Sequence, residues 1–188
     1  MDTPGDIGPT TVDEDGHESE PPPRRLSLEV VIEAGDWPDA DTMEALVADV
    51  ARVLGAAPEM TDLLDGPATA CIAFAADADV RTLNAQFRGK DKPTNVLSFP
   101  AQAPPLDMLA LDELRPLGDV VLASETVAME ARELGIPWSH HVQHLVVHGV
   151  LHLLGHDHEA DGEAEIMEAL ETRILADLGV PDPYRSNE

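Results

Sequence analysis

The sequence has few of the features that mark secreted or membrane proteins. Its 188 residues include a single cysteine, Cys71, so no disulfide can form within the chain. The longest apolar runs are interrupted by histidine and fall well short of the roughly 20 residues of a membrane span. Residues 1–23 contain neither a basic segment nor an apolar one, so we expect no secretory signal. These absences predict a cytoplasmic protein with no membrane partner.

Basic residues are also scarce. Eleven Lys and Arg stand against 37 Asp and Glu, giving a formal net charge of −26. This charge argues against a nucleic-acid partner, because phosphate backbones attract positive surface, and no DNA partner is expected. The distribution is uneven, however: residues 1–23 hold seven acidic residues and no Lys or Arg, whereas four basic residues cluster at Arg81, Arg88, Lys90 and Lys92. A local basic patch on an acidic protein is therefore compatible with the sequence.

The length and the apolar content of 43% predict one folded domain. Residues 1–23, rich in Pro, Gly, Asp and Glu, cannot bury enough apolar surface to fold and are predicted to be a disordered acidic tail. Residues 24–185 then form the domain. Predicted strands lie near residues 26–32, 68–75, 95–99 and 117–123, and predicted helices end near residues 54, 89, 134, 154 and 178. The order β-α-β-α-β-β-α-α-α predicts an α+β (α/β-type) fold, a small mixed β-sheet packed with helices.

Seven of the eight histidines are concentrated in one short segment. His148 and His152 are four residues apart, so on a helix they share a face and can bind one metal ion. Gly155 can adopt a positive φ, end the helix and turn the chain, so that His158 reaches the same ion. Three neutral imidazoles leave a fourth position for water, as in catalytic zinc sites. We therefore predict one Zn²⁺ per chain, on the helix and turn at residues 137–158.

The stripe of histidines at i, i+4 spacing leaves a second choice of ligands. Ligation could begin at His144 instead of His148, but the full HxxxHxxGxxH string, with its turn glycine, favours the set that ends at His158. We expect His156 to lie beside the site or to face solvent, and expect three others not to be ligands: His140, His141 and His144.

The same spacing occurs in metzincin proteases, which raises the question of a peptidase. Those enzymes carry a glutamate general base directly after the first histidine, where this chain has Gly149. Without that carboxylate a peptidase lacks its proton acceptor, so the pattern argues against proteolysis.

Four separate blocks of the sequence together match a pattern that is typical of one protein family. They are HGVLHLLGHDH at 148–158, LNAQFRGKDKPTNVLSFP at 83–100, LGDVV at 117–121, and the closing helix from Glu171 to Leu178 with Asp182, Pro183 and Tyr184. Taken together, in their order along the chain, they resemble the YbeY family of bacterial endoribonucleases, which act in ribosomal RNA maturation. The resemblance covers about residues 26–185, and the match of several blocks in order makes it specific.

The resemblance implies that His148, His152 and His158 bind zinc and that Arg88 is the functional arginine near the metal. Arg88 and His148 are therefore our catalytic candidates. The chemistry agrees, because a guanidinium offers a planar, permanently charged fork to a phosphodiester and can stabilise the charge of its transition state. The alternative for Arg88 is an arginine that only complements the dipole at a helix end. Lys90 and Lys92 are substrate-binding candidates that could steer RNA, or ordinary surface lysines.

The predicted function is zinc-dependent cleavage of single-stranded RNA. The resemblance further implies maturation of the 16S rRNA 3′ end and ribosome quality control, with ribosomal RNA and the small ribosomal subunit as partners. The general base is not assigned. Two alternatives stay open: a metal-dependent hydrolase of a non-RNA substrate, and a ribosome-assembly binding protein with a structural metal. An open coordination position would favour the enzymes, and a closing fourth ligand such as His156 would favour the structural role.

Overall fold

The computed structural model describes residues 26–64, 66–102, 114–156 and 161–184. In chain order the elements are β1 Leu26–Ile32, α1 Ala40–Ala56, α2 Met60–Leu63, β2 Ala68–Ala75, α3 Asp77–Arg88, β3 Val96–Pro100, β4 Arg115–Ala123, α4 Ser124–Leu134, α5 Trp138–Leu153 and α6 Asp161–Asp177. Every predicted strand and helix is present, and only the one-turn helix α2 was not predicted. The predicted tail, residues 1–23, and His158 lie outside the described residues.

The four strands form one mixed sheet in the order β1-β2-β4-β3. β1 pairs with β2, and β2 with β4, in parallel, whereas β3 runs antiparallel to β4. The parallel pairs need helical crossovers, and the short distance between β3 and β4 along the chain allows the antiparallel pairing. The predicted single α+β domain with a small mixed sheet is therefore confirmed. No helix in the described part of the chain is long and apolar enough to cross a bilayer.

Alternating residues of β4 supply both faces of the sheet. Val120 and Leu122 belong to a large core with side chains of α1, α5 and α6, whereas Val121 and Ala123 belong to a smaller core with Val80 of α3. The period of two follows from the pleat of the strand, which sends successive side chains to opposite faces. The sheet therefore separates α5, which carries the histidines, from α3, which ends at Arg88.

Gly149 lets α5 pack directly against the sheet. A Cβ placed on this glycine would lie 2.4 Å from Cγ1 of Val120, so no side chain fits here. The Ser98 hydroxyl of β3 donates a hydrogen bond of 3.1 Å to the Gly149 carbonyl at the same crossing. The close approach fixes α5 beside β3. It also removes any room for a carboxylate at this position, in agreement with the argument against a metzincin protease.

The N-termini of α3 and α4 cap each other. The backbone N–H of Asp77 donates to the Glu125 carboxylate at 2.9 Å, and the backbone N–H of Thr126 donates to the Asp77 carboxylate at 3.0 Å. Each carboxylate satisfies a donor that the first turn of a helix leaves without an intrahelical partner. This reciprocal cap anchors the start of α3, while Gly89 ends it in the left-handed conformation with φ of 67°. Arg88 is thereby held at a defined helix end.

Candidate functional site

Helix α5 brings His148 and His152 together. Its apolar residues, among them Val142, Val146 and Val150, are fully buried and fix the rotation of the helix against the core. The two histidines are half-buried on the opposite, open side, and their Nε2 atoms lie 3.1 Å apart. Two imidazole nitrogens bound to one tetrahedral zinc at about 2.0–2.1 Å are roughly 3.3 Å apart. The pair therefore has the spacing of two ligands of one metal ion.

The turn after α5 has the predicted form. Gly155 has a φ of 94° and follows directly on the end of the helix, so the chain reverses there as expected. The predicted third ligand, His158, lies outside the described residues. Its assignment as a ligand stays a prediction.

Glu171 of α6 lies on the other side of His148. Its side chain is fully buried, and one carboxylate oxygen lies 2.7 Å from Nδ1 of His148. The other oxygen lies 3.4 Å from Nε2 of His144 and accepts a hydrogen bond from the Tyr184 hydroxyl. Burial raises the pKa of this carboxyl, but hydrogen bonds from His144, His148 and Tyr184 more than offset that effect and lower the pKa to about 2. Glu171 is therefore a buried carboxylate anion with three polar partners.

These contacts offer a second arrangement for a metal. Nitrogens of His144 and His148 and an oxygen of Glu171 all lie within 4.8 Å of one another, so this group could hold a metal ion. It differs from the predicted ligand set, which left out His144. The distance of 2.7 Å between Glu171 and His148 is typical of a charge-assisted hydrogen bond, and it is shorter than the roughly 3.3 Å between two ligands of one zinc.

A cleft of about 770 Å³ opens in front of the two histidines. Its polar lining consists of Arg88, Lys90, Thr94, Asn95, Ser98, His148, His152 and His156. Among the described residues that line it there is no aspartate or glutamate, although the chain as a whole carries 37 of them. The cleft therefore combines histidine side chains with cationic ones, and its positive charge is suited to an anionic substrate.

Arg88 lies where the sequence predicts it, at the end of α3 and in the wall of this cleft. Its side chain is exposed, and it makes no ion pair with any other described residue. Lys90 also lines the cleft, whereas Lys92 is exposed but is not part of the lining. The backbone carbonyl of Lys92 instead accepts a hydrogen bond from the buried Asn84 side chain. The structure thus brings Arg88 and Lys90 to the histidines, but not Lys92.

Asn95 connects the cleft to a hydrogen-bond network that includes Glu130 of α4 and His141 of α5. Its amide donates to the Glu130 carboxylate at 3.0 Å, and its carbonyl oxygen accepts from the backbone N–H of Val96 at 2.8 Å. The same Glu130 oxygen lies 2.8 Å from Nε2 of the buried His141. Because both ends of the Asn95 amide are engaged, this residue acts as a fixed part of the cleft wall.

Comparison with known proteins bears on what this cleft does. The family described as Endoribonuclease YbeY matches residues 36–179, most of the chain. The chain belongs to this YbeY family. The resemblance inferred from the sequence blocks is thus confirmed, and the matched region includes Arg88, His148, His152 and Glu171.

Several curated YbeY relatives align over nearly their whole length. The Endoribonuclease YbeY of Bradyrhizobium sp. (strain BTAi1) is 51% identical over 86% of this chain and 94% of the relative. The protein of the same name from Chelativorans sp. (strain BNC1) is 49% identical over 85% of this chain and 93% of the relative. The solution structure of TM1509 from Thermotoga maritima covers 85% of this chain and 99% of that one, with 21% identity and a TM-score of 0.49. The family assignment depends on the family match and on these sequence relatives, and not on that structure.

Glu171, Tyr184 and Glu130 have no role predicted from the sequence. Glu171 and Tyr184 do fall in the closing block of the YbeY resemblance, which was the available signal. Glu171 is 23 residues from His148 and lies on another helix, so no local spacing rule connects them. Only the packing of α6 against α5 shows that the carboxylate and the histidine meet.

Proposed function

We propose that this chain is a cytoplasmic, metal-dependent endoribonuclease that cleaves single-stranded RNA in ribosomal RNA maturation, at the 3′ end of 16S rRNA, and in ribosome quality control. Ribosomal RNA on the small ribosomal subunit would be its substrate. Membership of the YbeY family supports the class of reaction. The observation that carries the proposal is that Arg88 shares one cleft with His148 and His152.

His148, His152 and His158 would hold the metal, which we propose to be one zinc ion per chain. The Nε2 atoms of the first two fit such an ion by their spacing, and Gly155 supplies the turn that the prediction requires before His158. Zinc at such a site polarises a phosphoryl oxygen and makes water a stronger nucleophile at neutral pH. We favour this set over His144, His148 and Glu171, because the short contact between Glu171 and His148 is a hydrogen bond.

Arg88 would bind the scissile phosphodiester. Its fork can donate two parallel hydrogen bonds to phosphate oxygens and stabilise the additional negative charge of the pentacoordinate transition state. Its exposure in the cleft leaves it accessible to a substrate. Lys90, in the same wall, would attract the RNA backbone, and Lys92 would contribute at most at longer range. Because no carboxylate lines the described part of the cleft, the proton acceptor is not assigned to a side chain here.

A structural metal is the second candidate role, and His156 is the residue that favours it. This histidine lines the same cleft, and its buried Nε2 has no hydrogen-bond partner among the described residues. As a fourth protein ligand it would close the coordination sphere and leave no position for water or substrate. The protein would then bind ribosomal RNA without cleaving it.

The experiment is a cleavage assay on single-stranded and duplex RNA with three samples: chelator-stripped protein, the same protein restored with zinc, and His152→Ala treated identically. We expect zinc to restore cleavage of the single strand only, and His152→Ala to stay inactive. Cleavage that persists in His152→Ala after chelation would contradict the proposal, since it would show that cleavage needs neither the metal nor this histidine.

His156→Ala separates the two candidate roles. If the metal is catalytic, this variant should keep both zinc and cleavage. Loss of zinc from His156→Ala, together with RNA binding but no cleavage by the unaltered protein, would support the structural role instead.

A further inference from the structure

The fully buried Glu171 is costly for the fold. Moving a carboxylate out of water without compensation is strongly unfavourable, and proteins keep such groups only where several donors satisfy them. Glu171 has three partners: His144, His148 and Tyr184. None of them is a lysine or an arginine. The carboxylate is therefore held by polar side chains that converge beside the candidate metal site, and not by an ordinary ion pair.

The contact with His148 fixes the state of that imidazole. Nδ1 lies 2.7 Å from a carboxylate oxygen, which can only accept a hydrogen bond, so Nδ1 carries the proton. In the neutral ring Nε2 then has the lone pair, and this is the atom that faces Nε2 of His152 at 3.1 Å. Metal coordination requires that lone pair on the side of the ring that faces the cleft.

Further contacts fix the carboxylate itself. Thr172 of α6 donates to Asp182 at 3.3 Å, and Asp182 accepts the backbone N–H of Tyr184 at 2.9 Å. The turn at residues 182–184 is thereby tied back to α6, and the Tyr184 hydroxyl reaches Glu171. Burial raises the pKa of the Tyr184 phenol, and the hydrogen bond to Glu171 raises it further, so the hydroxyl remains a donor.

We propose that Glu171 is a positioning residue, which selects the Nδ1–H tautomer of His148 and orients its ring towards the metal, and that Tyr184 holds Glu171 in place for this task. The inference rests on the proposed metal site of His148 and His152. In this role neither residue would bind substrate or metal directly. Their effect on catalysis passes through the affinity of the site for its ion.

The test measures zinc affinity of the full chain by competition with a chromophoric chelator, well below the melting temperature of the metal-free protein. Glu171→Gln keeps the size of the side chain but loses its charge, and its zinc dissociation constant should rise by about 10- to 100-fold. Tyr184→Phe removes only one donor and should give a smaller rise. Glu165→Gln, an exposed residue of the same helix, is the matched control and should match the unaltered chain.

A second readout follows the tautomer directly. In ¹⁵N-detected NMR of the metal-free protein, His148 should be Nδ1-protonated in the unaltered chain and should become a mixture of tautomers in Glu171→Gln. A purely structural role would lower the melting temperature while leaving both the tautomer and the zinc affinity unchanged, and would overturn the inference.

The remaining outcomes are also decisive. If Glu171→Gln does not fold, Tyr184→Phe carries the test, and a zinc affinity equal to that of the unaltered chain overturns the inference. If the unaltered chain itself binds no zinc, the proposed metal site fails and the inference fails with it. Normal zinc binding by the unaltered chain with unchanged affinity in Glu171→Gln leaves the proposed function standing and removes only the role of Glu171.

Discussion

The two halves of α5 use the same residue type for different purposes. In the N-terminal half, His141 and His144 point to carboxylates of neighbouring helices, Glu130 of α4 and Glu171 of α6. In the C-terminal half, His148 and His152 face each other and the cationic cleft. His148 belongs to both halves, because one ring nitrogen meets Glu171 and the other meets His152.

This difference shows that the partner decides what a histidine does. An imidazole beside a carboxylate can donate an N–H hydrogen bond to it and so becomes part of the packing between helices. An imidazole beside a second imidazole, at an open cleft, can present a lone pair to a metal ion. The sequence repeats histidine at one helical spacing through both halves, so the spacing alone does not separate the two roles.

The largest expected effect contrasts one histidine from each half. His152→Ala removes one of the two facing imidazole nitrogens. Bound zinc should therefore fall from about one ion per chain to a small fraction, because a site of three histidines loses most of its zinc affinity when one ligand is removed. His140→Ala should keep its zinc. Elemental analysis of both purified variants makes the measurement, and equal zinc content in the two would break the comparison between the halves.

The next prediction tests the cleft wall without touching the metal. Arg88→Lys keeps a positive charge but loses the planar fork, so RNA cleavage should slow by about 100- to 1,000-fold, the usual cost of one preorganised donor. Zinc content and melting temperature should barely move. Arg81→Lys is the matched control, since Arg81 lies on the same helix but pairs with Asp91 on the surface. Wild-type cleavage by Arg88→Lys would remove Arg88 from the site.

A smaller effect is expected where α5 contacts the sheet. Gly149→Ala places a methyl group 2.4 Å from Val120, so the free energy of unfolding should drop by about 1–3 kcal/mol, as is typical of overpacking. Gly162→Ala on α6, where a Cβ meets nothing within 4 Å, should cost no stability. Urea denaturation of both variants gives the comparison. Equal stability would show that the crossing of α5 over β4 has room for a methyl group.

The smallest expected effect concerns the packed half of α5. His141→Leu preserves much of the volume but breaks the hydrogen bond to Glu130, whose side chain is 30% exposed and can regain water. The loss of stability should be about 1 kcal/mol, the usual net value of one hydrogen bond. Zinc content should stay unchanged. If zinc is lost instead, the two halves of the helix are not functionally separate.

Most of the fold follows from local signals. The strand at residues 68–75 and the helix end at Gly89 each depend on neighbours within one element, and each is found as predicted. The short α2 was missed because a single turn gives no periodic pattern. The boundary at residues 24–185 and the ligand His158 stay predictions, since the described residues do not include them.

The sequence by itself determined the elements, the family and the histidine pair, because helical spacing and glycine conformation are local properties of the chain. Only the tertiary structure decided that Arg88 meets the histidines in one cleft, that Lys92 does not, and that Glu171 lies against His148. These contacts depend on two packing arrangements. Helix α3 packs on one face of the sheet, and α6 packs with α5 on the other. The packing is set by the shapes of many buried side chains together, and by the space that Gly149 leaves for Val120.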